Sequence, residues 1–315
     1  MTTEEWIESA RLGCNSALDE PGIQRVKAML SQANISQAEQ REALRISATE
    51  QLPSRGLLKL QTLMGDIDPP VERFPLERKL LLEEALLALS RLNELPVDET
   101  VKQMFCKEFL FIAQPTEESL PRFALSGYTF VAMGKIVLLN RFPAGHYHWE
   151  VSGFPRSWLP KIPFHLLPAT LRFLLTQTGG FKPWFVSHMR GTGPGTPFLV
   201  ESEFKKSFYR MALALKKQPH IRAISADSWL HSPETHRVSP HLAFLNRIFV
   251  EAGGFVTDLG PASPQDGFAQ GNKQRAELYR LGEYKPTIGV AMCSRAHAIA
   301  WAEEHPELET QITVK

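Results

Sequence analysis

Apolar residues recur at helical spacing through the first third of the chain, as in ERKLLLEEALLALSRLNEL. Helix-start signals precede four such segments: Asp19-Glu20-Pro21, Ser36 with Glu39, Pro75 and Asp98. Proline fits the first turn of a helix because no backbone N–H is needed there, and a serine followed three residues later by glutamate is a capping-box pattern. Residues 1–118 therefore predict an all-α N-terminal domain, with the second of its helices beginning at Ser36.

Beyond residue 118 the pattern changes to short apolar runs. Two runs around Gly134, Tyr128–Met133 and Lys135–Leu139, predict a hairpin, and the alternation in His146–Val151 predicts a further strand. Strands then alternate with helices: strands near 183–189, 221–227, 255–259 and 287–293, and helices near 200–217, 240–252, 272–281 and 295–304. This order predicts a mixed α/β domain over residues 119–315, with helices on the faces of a sheet.

Composition supports two globular domains and excludes several classes of protein. The 315 residues are 43% hydrophobic, enough to bury a sizeable core. Lys+Arg number 35 and Asp+Glu 34, which argues against a nucleic-acid binder. The three cysteines, Cys14, Cys106 and Cys293, lie too far apart for a zinc ribbon. The acidic N-terminus is unlike a signal peptide, and no apolar run reaches the ~18 residues of a membrane span, so a cytoplasmic location is expected.

A glycine-rich loop is the first candidate site. Arg190-Gly-Thr-Gly-Pro-Gly195 falls between a predicted strand and a predicted basic helix. Glycine lets the backbone approach a ligand closely, and free N–H groups at a helix start bind anions such as a pyrophosphate. Four neighbours oppose this interpretation by removing donors or adding negative charge: Pro194, Pro197, Glu201 and Glu203. A plain Gly/Pro connection is therefore the alternative.

The loop resembles the R/Q-x-x-G-x-G/A pattern of the GNAT superfamily of acyl-CoA N-acyltransferases. This resemblance implies a GNAT-like mixed sheet, acyl-CoA as co-substrate, and contacts to its pyrophosphate from Arg190, Gly191, Gly193 and Gly195. The longer stretch from His188 to Pro240 is similar to bacterial GNAT-like acyltransferases that have a helical N-terminal region.

Acyl transfer from acyl-CoA, or a related thioester, to a small-molecule amine is the function that the resemblance implies. His188, Asp227 or His231 would accept the proton of the amine, since each lies at or near a predicted strand end. Ser228 belongs to the same strand end.

Two later stretches, 242–255 and 276–284, resemble the family's helix that ends in a tyrosine. The first has Phe249 where the family often has tyrosine, and the second implies that Tyr279 protonates the departing thiolate. No metal is expected for this reaction.

Two other functions remain open from the residues alone. His146, His148 and Glu150 alternate along a predicted strand and would share one face, as the ligands of an iron or zinc enzyme do. A non-catalytic GNAT-like binding module is the other alternative, favoured by the prolines in the loop. The expected partner is a small-molecule substrate and not a nucleic acid. No membrane span is expected, and a homodimer is possible.

Overall fold

The computed structural model of the chain describes residues 1–50, 69–114, 127–189, 199–268 and 272–309. The described residues form two compact units, which divide between Pro143 and Ala144. The domain boundary expected between residues 118 and 119 lies outside the described residues.

Helices build the first unit, and a short strand lies at its end. They are α1 (Thr3–Leu18), α2 (Pro21–Gln32), α3 (Gln37–Glu50), α4 (Pro69–Leu89), α5 (Glu99–Ala113) and α6 (Gly127–Val137), followed by strand β1 (Arg141–Pro143). The capping box predicted at the start of α3 is confirmed, because the Ser36 and Glu39 side chains each accept the other's backbone N–H. The predicted starts of α2 and α5 are confirmed as well.

Two cysteines belong to the core of this unit. Cys14 and Cys106 are fully buried, and the Cys14 thiol points at the Phe109 carbonyl, 4.0 Å away. Burial raises the pKa of each thiol to about 12, so both stay protonated and act as small apolar side chains.

Two predictions for the first unit are wrong. The stretch around Gly134 is helix α6 and not a hairpin, and it packs closely on α3 at Gly134. A Cβ at Gly134 would lie 3.2 Å from the Ala48 side chain and 3.3 Å from that of Leu44. Pro75 does not open its helix, since α4 begins at Pro69 and Pro75 lies inside it.

The second unit contains the predicted mixture of strands and helices. Its strands are β2 (Tyr147–Gly153), β3 (Pro183–Met189), β4 (Ala223–Ser228), β5 (Phe255–Pro261) and β6 (Thr287–Ser294). Its helices are α7 (Leu167–Arg172), α8 (Glu201–Lys217), α9 (Pro233–Val238), α10 (Phe244–Glu251), α11 (Lys273–Arg280) and α12 (Arg295–Glu304). The strands lie in the order β2-β3-β4-β6-β5. β3 and β4 are parallel and the other pairs antiparallel, so the predicted mixed α/β class is confirmed.

Each face of this sheet has its own cover. On one face, Trp184, Ala223 and Met292 pack against residues 154–177, which we call the cap. The cap contains a 3₁₀ turn, α7 and a π-helical turn. On the other face the aromatic rings of α8 pack on the sheet and on neighbouring helices. The ring centroids of Phe204 and Tyr147 are 4.5 Å apart, and those of Phe208 and Trp301 are 5.2 Å apart.

Candidate active site

The two parallel strands at the centre of the sheet pair over three residues each. Their register comprises Phe185–Ile224, Val186–Ser225 and Ser187–Ala226. Beyond these pairs β3 continues beside β2 to Met189, and β4 continues beside β6 to Ser228. The pairing of β3 with β4 therefore ends before residues 188–189 of β3 and 227–228 of β4, and we call these unpaired strand ends the gap. In open α/β sheets, ligands bind at the carboxyl ends of strands, which makes this gap the candidate site.

A side-chain hydrogen bond closes the ladder next to the gap. The Ser187 hydroxyl donates to the Ser225 carbonyl at 2.8 Å, and both residues are buried. This bond therefore ties β3 to β4 near the end of their ladder.

Four ionisable side chains, those of His148, Glu150, His188 and Asp227, lie on the cap face at this end of the sheet. Opposed residues of neighbouring strands share a face, and Glu150 lies opposite Val186 while His188 lies opposite His148. Glu150 and His188 are consequently diagonal neighbours, with 3.5 Å between Glu150 Oε1 and His188 Nε2. Asp227 shares the face because it follows Ser225, the partner of Val186, by two residues. His188 and Asp227 occupy equivalent positions on the two sides of the gap.

Asp227 is exposed to water, although protein atoms surround part of its carboxylate. The protein around it raises the pKa of its carboxyl above the ordinary value, chiefly by burial. The exposure and the raised pKa are consistent with each other if water reaches the carboxylate while surrounding protein atoms weaken its hydration. An aspartate of this kind accepts a proton more readily than one on an open surface.

The glycine-rich loop, with Arg190, Gly191, Gly193 and Gly195, lies outside the described residues. The elements that flank it are as predicted, since β3 ends at Met189 and α8 begins at Glu201. Val200 precedes α8 and provides no side-chain cap. The first turn of this helix therefore depends on other groups to satisfy its N–H donors.

The acidic residues at the start of α8 are paired with cations. Glu201 accepts a hydrogen bond from Arg247 at 2.6 Å and lies 3.2 Å from the Lys205 ammonium. This pairing, foremost the bond from Arg247, lowers the pKa of Glu201. Glu203 is 2.8 Å from Lys206. The negative charge that opposes an anion at this helix start is thus offset by neighbouring side chains.

Comparison with known proteins adds a fold likeness. No protein-family model matches the chain, and no curated protein matches it. Its fold resembles that of solved acyltransferases. An acyltransferase variant in complex with octanoyl-CoA matches with a TM-score of 0.52 at 11% identity, over 89% of this chain and 83% of that one. An acyltransferase in complex with decanoyl-CoA and teicoplanin gives the same values. One in complex with CoA and 10C-teicoplanin matches with a TM-score of 0.52 over 82% of its own chain. At this identity the likeness concerns the acyltransferase fold.

The other predicted site residues, Ser228, His231 and Tyr279, have structural contacts of their own. The Ser228 hydroxyl accepts the Leu230 N–H and caps a 3₁₀ turn. His231 is buried with its Nδ1 2.7 Å from the Asn246 side-chain oxygen, and burial lowers its pKa to about 4. Tyr279 lies on α11, where its ring packs edge-on against Phe268 at 4.7 Å.

The three residues of the predicted metal site do not share one face. His146 precedes β2, and its ring lies 5.4 Å from that of Phe204 on α8. His148 and Glu150 lie on the opposite face, towards the cap. Among the residues that the structure describes, no group of three or more His, Cys, Asp or Glu side chains is arranged to hold a metal ion.

Sequence reasoning missed the pairing of Glu150 with His188. The two residues lie on separate strands, and only the antiparallel register of β2 and β3 makes them neighbours. The period-two alternation did predict the strand positions of both, but alternation along one strand contains no information about which residue of another strand lies opposite.

Proposed function

We propose that this protein is an acyltransferase with a GNAT-like scaffold, which moves an acyl group from acyl-CoA to a small-molecule amine. The proposal rests on the gap between the parallel strands β3 and β4, the first of which is followed along the chain by the glycine-rich loop and α8. The solved acyltransferases of similar fold, which bind octanoyl-CoA, decanoyl-CoA or CoA, support it.

The gap suits the extended, amide-containing arm of an acyl-CoA. Where two strands part, backbone N–H and C=O groups that would bond to each other are turned towards the space between them. An extended ligand that enters there can bond to a strand as an added strand does. A strand N–H can in the same way donate to the thioester carbonyl oxygen, where negative charge develops during acyl transfer. The loop 190–195 and the start of α8 would then receive the pyrophosphate.

The side chains beside the gap supply acid–base chemistry. The amine nitrogen attacks the thioester carbonyl carbon, a C–N bond forms, and the C–S bond breaks as the thiolate leaves. His188 accepts the proton that the amine loses, and Glu150, at 3.5 Å, orients the imidazole and stabilises its protonated form. Asp227 lies across the gap as a second proton acceptor. The proton of the thiolate comes from Tyr279 in the mechanism implied by the resemblance.

Two substitutions test this assignment. In an assay of CoA release from decanoyl-CoA with a panel of primary amines, His188→Ala should lower kcat about 100-fold, the usual contribution of a positioned base. Glu150→Gln should lower kcat by a smaller factor, about tenfold, because the base itself remains. The Kd for decanoyl-CoA, measured by calorimetry, should stay unchanged in both variants.

His220→Ala is the matched control, because His220 is exposed between α8 and β4. Its activity should equal that of the unsubstituted protein. Full activity in His188→Ala would exclude His188 as the base and leave Asp227 to be tested. Binding of acyl-CoA without turnover of any amine would favour the non-catalytic module, and no binding of acyl-CoA would remove the proposal.

A further inference from the structure

Charge is segregated within the second unit. The fifty residues from 151 to 200 contain no aspartate or glutamate, although the chain has 34 of them. The same stretch contains five basic residues, Arg156, Lys161, Arg172, Lys182 and Arg190. The balanced net charge of the whole chain conceals this basic stretch, most of which is the cap and its immediate flanks.

The cations of the cap are exposed. Lys161 and Arg172 lie on the cap, and Lys182 follows it shortly before β3. Other basic residues of this unit are engaged in ion pairs, for instance Lys216 with Glu303 at 2.9 Å. On β5, which the cap covers, the Asp258 carboxylate accepts the Gly260 N–H at 2.6 Å and so faces its own turn. The outer side of the cap is therefore positively charged.

Large apolar side chains of the same segment are exposed as well. Phe164 is 87% exposed and Leu175 62%, while their neighbours Ile162, Phe173 and Leu174 are buried against the sheet. The cap thus has an inner side that belongs to the core and an outer side with its own apolar groups.

A further ring extends the outer side. Phe181, 37% exposed, lies under the guanidinium of Arg156 at 5.0 Å. Single exposed apolar residues are ordinary, but several beside four cations, in a segment without acidic residues, form a distinct surface.

We propose that this surface binds the face of an anionic membrane. The cap surface consists of Arg156, Lys161, Phe164, Arg172, Leu175, Phe181 and Lys182. Exposed apolar side chains suit insertion among lipid headgroups and acyl chains, and cations in the same segment are attracted to anionic lipids. Binding of this kind is peripheral, and no helix in the described part of the chain is long and apolar enough to cross a membrane.

Vesicle binding by the full chain tests the proposal without acyl-CoA, so its outcome does not depend on the proposed function. The protein should co-sediment with phosphatidylcholine vesicles that contain phosphatidylglycerol at about 30 mol %, and far less with phosphatidylcholine alone. Phe164→Ser should lower the partition coefficient about tenfold, since a phenyl ring no longer inserts. The double variant Arg172→Gln/Lys182→Gln should lower it about 25-fold. Added salt should weaken binding of the unsubstituted protein.

Matched controls lie on other surfaces of the chain. Leu281→Ser removes an apolar side chain that is 52% exposed beyond α11, and Lys216→Gln/Lys273→Gln removes two cations; both should bind like the unsubstituted protein. Because Phe164 is exposed, its truncation should leave the melting temperature unchanged. No binding to anionic vesicles, or binding that Phe164→Ser leaves intact, would overturn the proposal. Tight binding to DNA or to an acidic protein but not to vesicles would overturn it equally.

Discussion

His231 is a histidine whose ionisation is opposed by its surroundings. It is 1% exposed, its ring bonds to Asn246, and burial lowers its pKa from 6.5 to about 4. A histidine whose folded pKa is depressed contributes stability above its unfolded pKa, and this contribution is lost as the pH falls towards the folded pKa. Acidification from pH 6.5 to about 4 should therefore destabilise the protein at this residue.

Urea titrations at about pH 7 and about pH 4.5 measure this effect. Between these two pH values the free energy of unfolding should fall by about 2 kcal/mol less in His231→Gln than in the unsubstituted protein, because glutamine binds no proton. Burial also lowers the pKa of His236, so His236→Gln should act in the same direction. His220→Gln, at an exposed position, should keep the original pH dependence. An unchanged pH dependence in His231→Gln would contradict the assignment of His231 as a buried neutral group.

The sequence predicted residue types at the site better than it predicted their partners. His188 and Asp227 were placed at strand ends by the apolar pattern, and the structure has both on one face. His231 appeared equivalent to them, because nothing in the local sequence shows that Asn246, fifteen residues later, bonds its ring. Packing between elements determines such partners. Apolar periodicity and secondary-structure propensity describe only one segment at a time and do not predict them.

At the scale of elements, the parted strands predict where a ligand slows amide exchange. If the arm of an acyl-CoA lies between β3 and β4, it shields the backbone near 188–189 and 227–228 from water. In hydrogen-exchange mass spectrometry, decanoyl-CoA at saturating concentration should slow exchange of peptides that cover these ends about tenfold.

Peptides from β5 provide the control, since β5 pairs with β6 on the far side of the sheet. Their exchange should not change on addition of decanoyl-CoA. Protection confined to β5, or to helices of the first unit, would place the ligand away from the gap.

Elements also show why part of the fold was predictable. The strands and long helices of the second unit were predicted within a few residues because apolar period, capping residues and turns agree there. Residues 127–137 were wrongly predicted as strands because they contain residues that favour strands, namely Phe130, Val131, Ile136 and Val137. The same residues form a helix that packs closely on α3 at Gly134, and this tertiary contact is not visible in the local pattern.

At the scale of the whole molecule, a choice of ligands separates the contribution of the strand gap to binding from that of the glycine-rich loop and the start of α8. Decanoyl-CoA has both the extended arm and the phosphates, whereas S-decanoyl-pantetheine lacks the phosphates. Ligand at 100 times its Kd raises the free energy of unfolding by about 2.7 kcal/mol, so thermal shifts at matched concentrations report relative affinity. If residues 190–195 and the start of α8 hold the pyrophosphate, decanoyl-CoA should bind at least about tenfold more tightly than S-decanoyl-pantetheine.

Gly193→Val links this difference to the loop. A side chain at Gly193 would keep the backbone from approaching a phosphate, so the variant should lose affinity for decanoyl-CoA but keep its affinity for S-decanoyl-pantetheine. The paired state of Glu201 means that no carboxylate has to be displaced when the anion binds. Equal affinity of the two ligands in the unsubstituted protein would mean that the strand gap alone binds the thioester. The loop would then be a connection, and the recognition of coenzyme A would have to come from the arm.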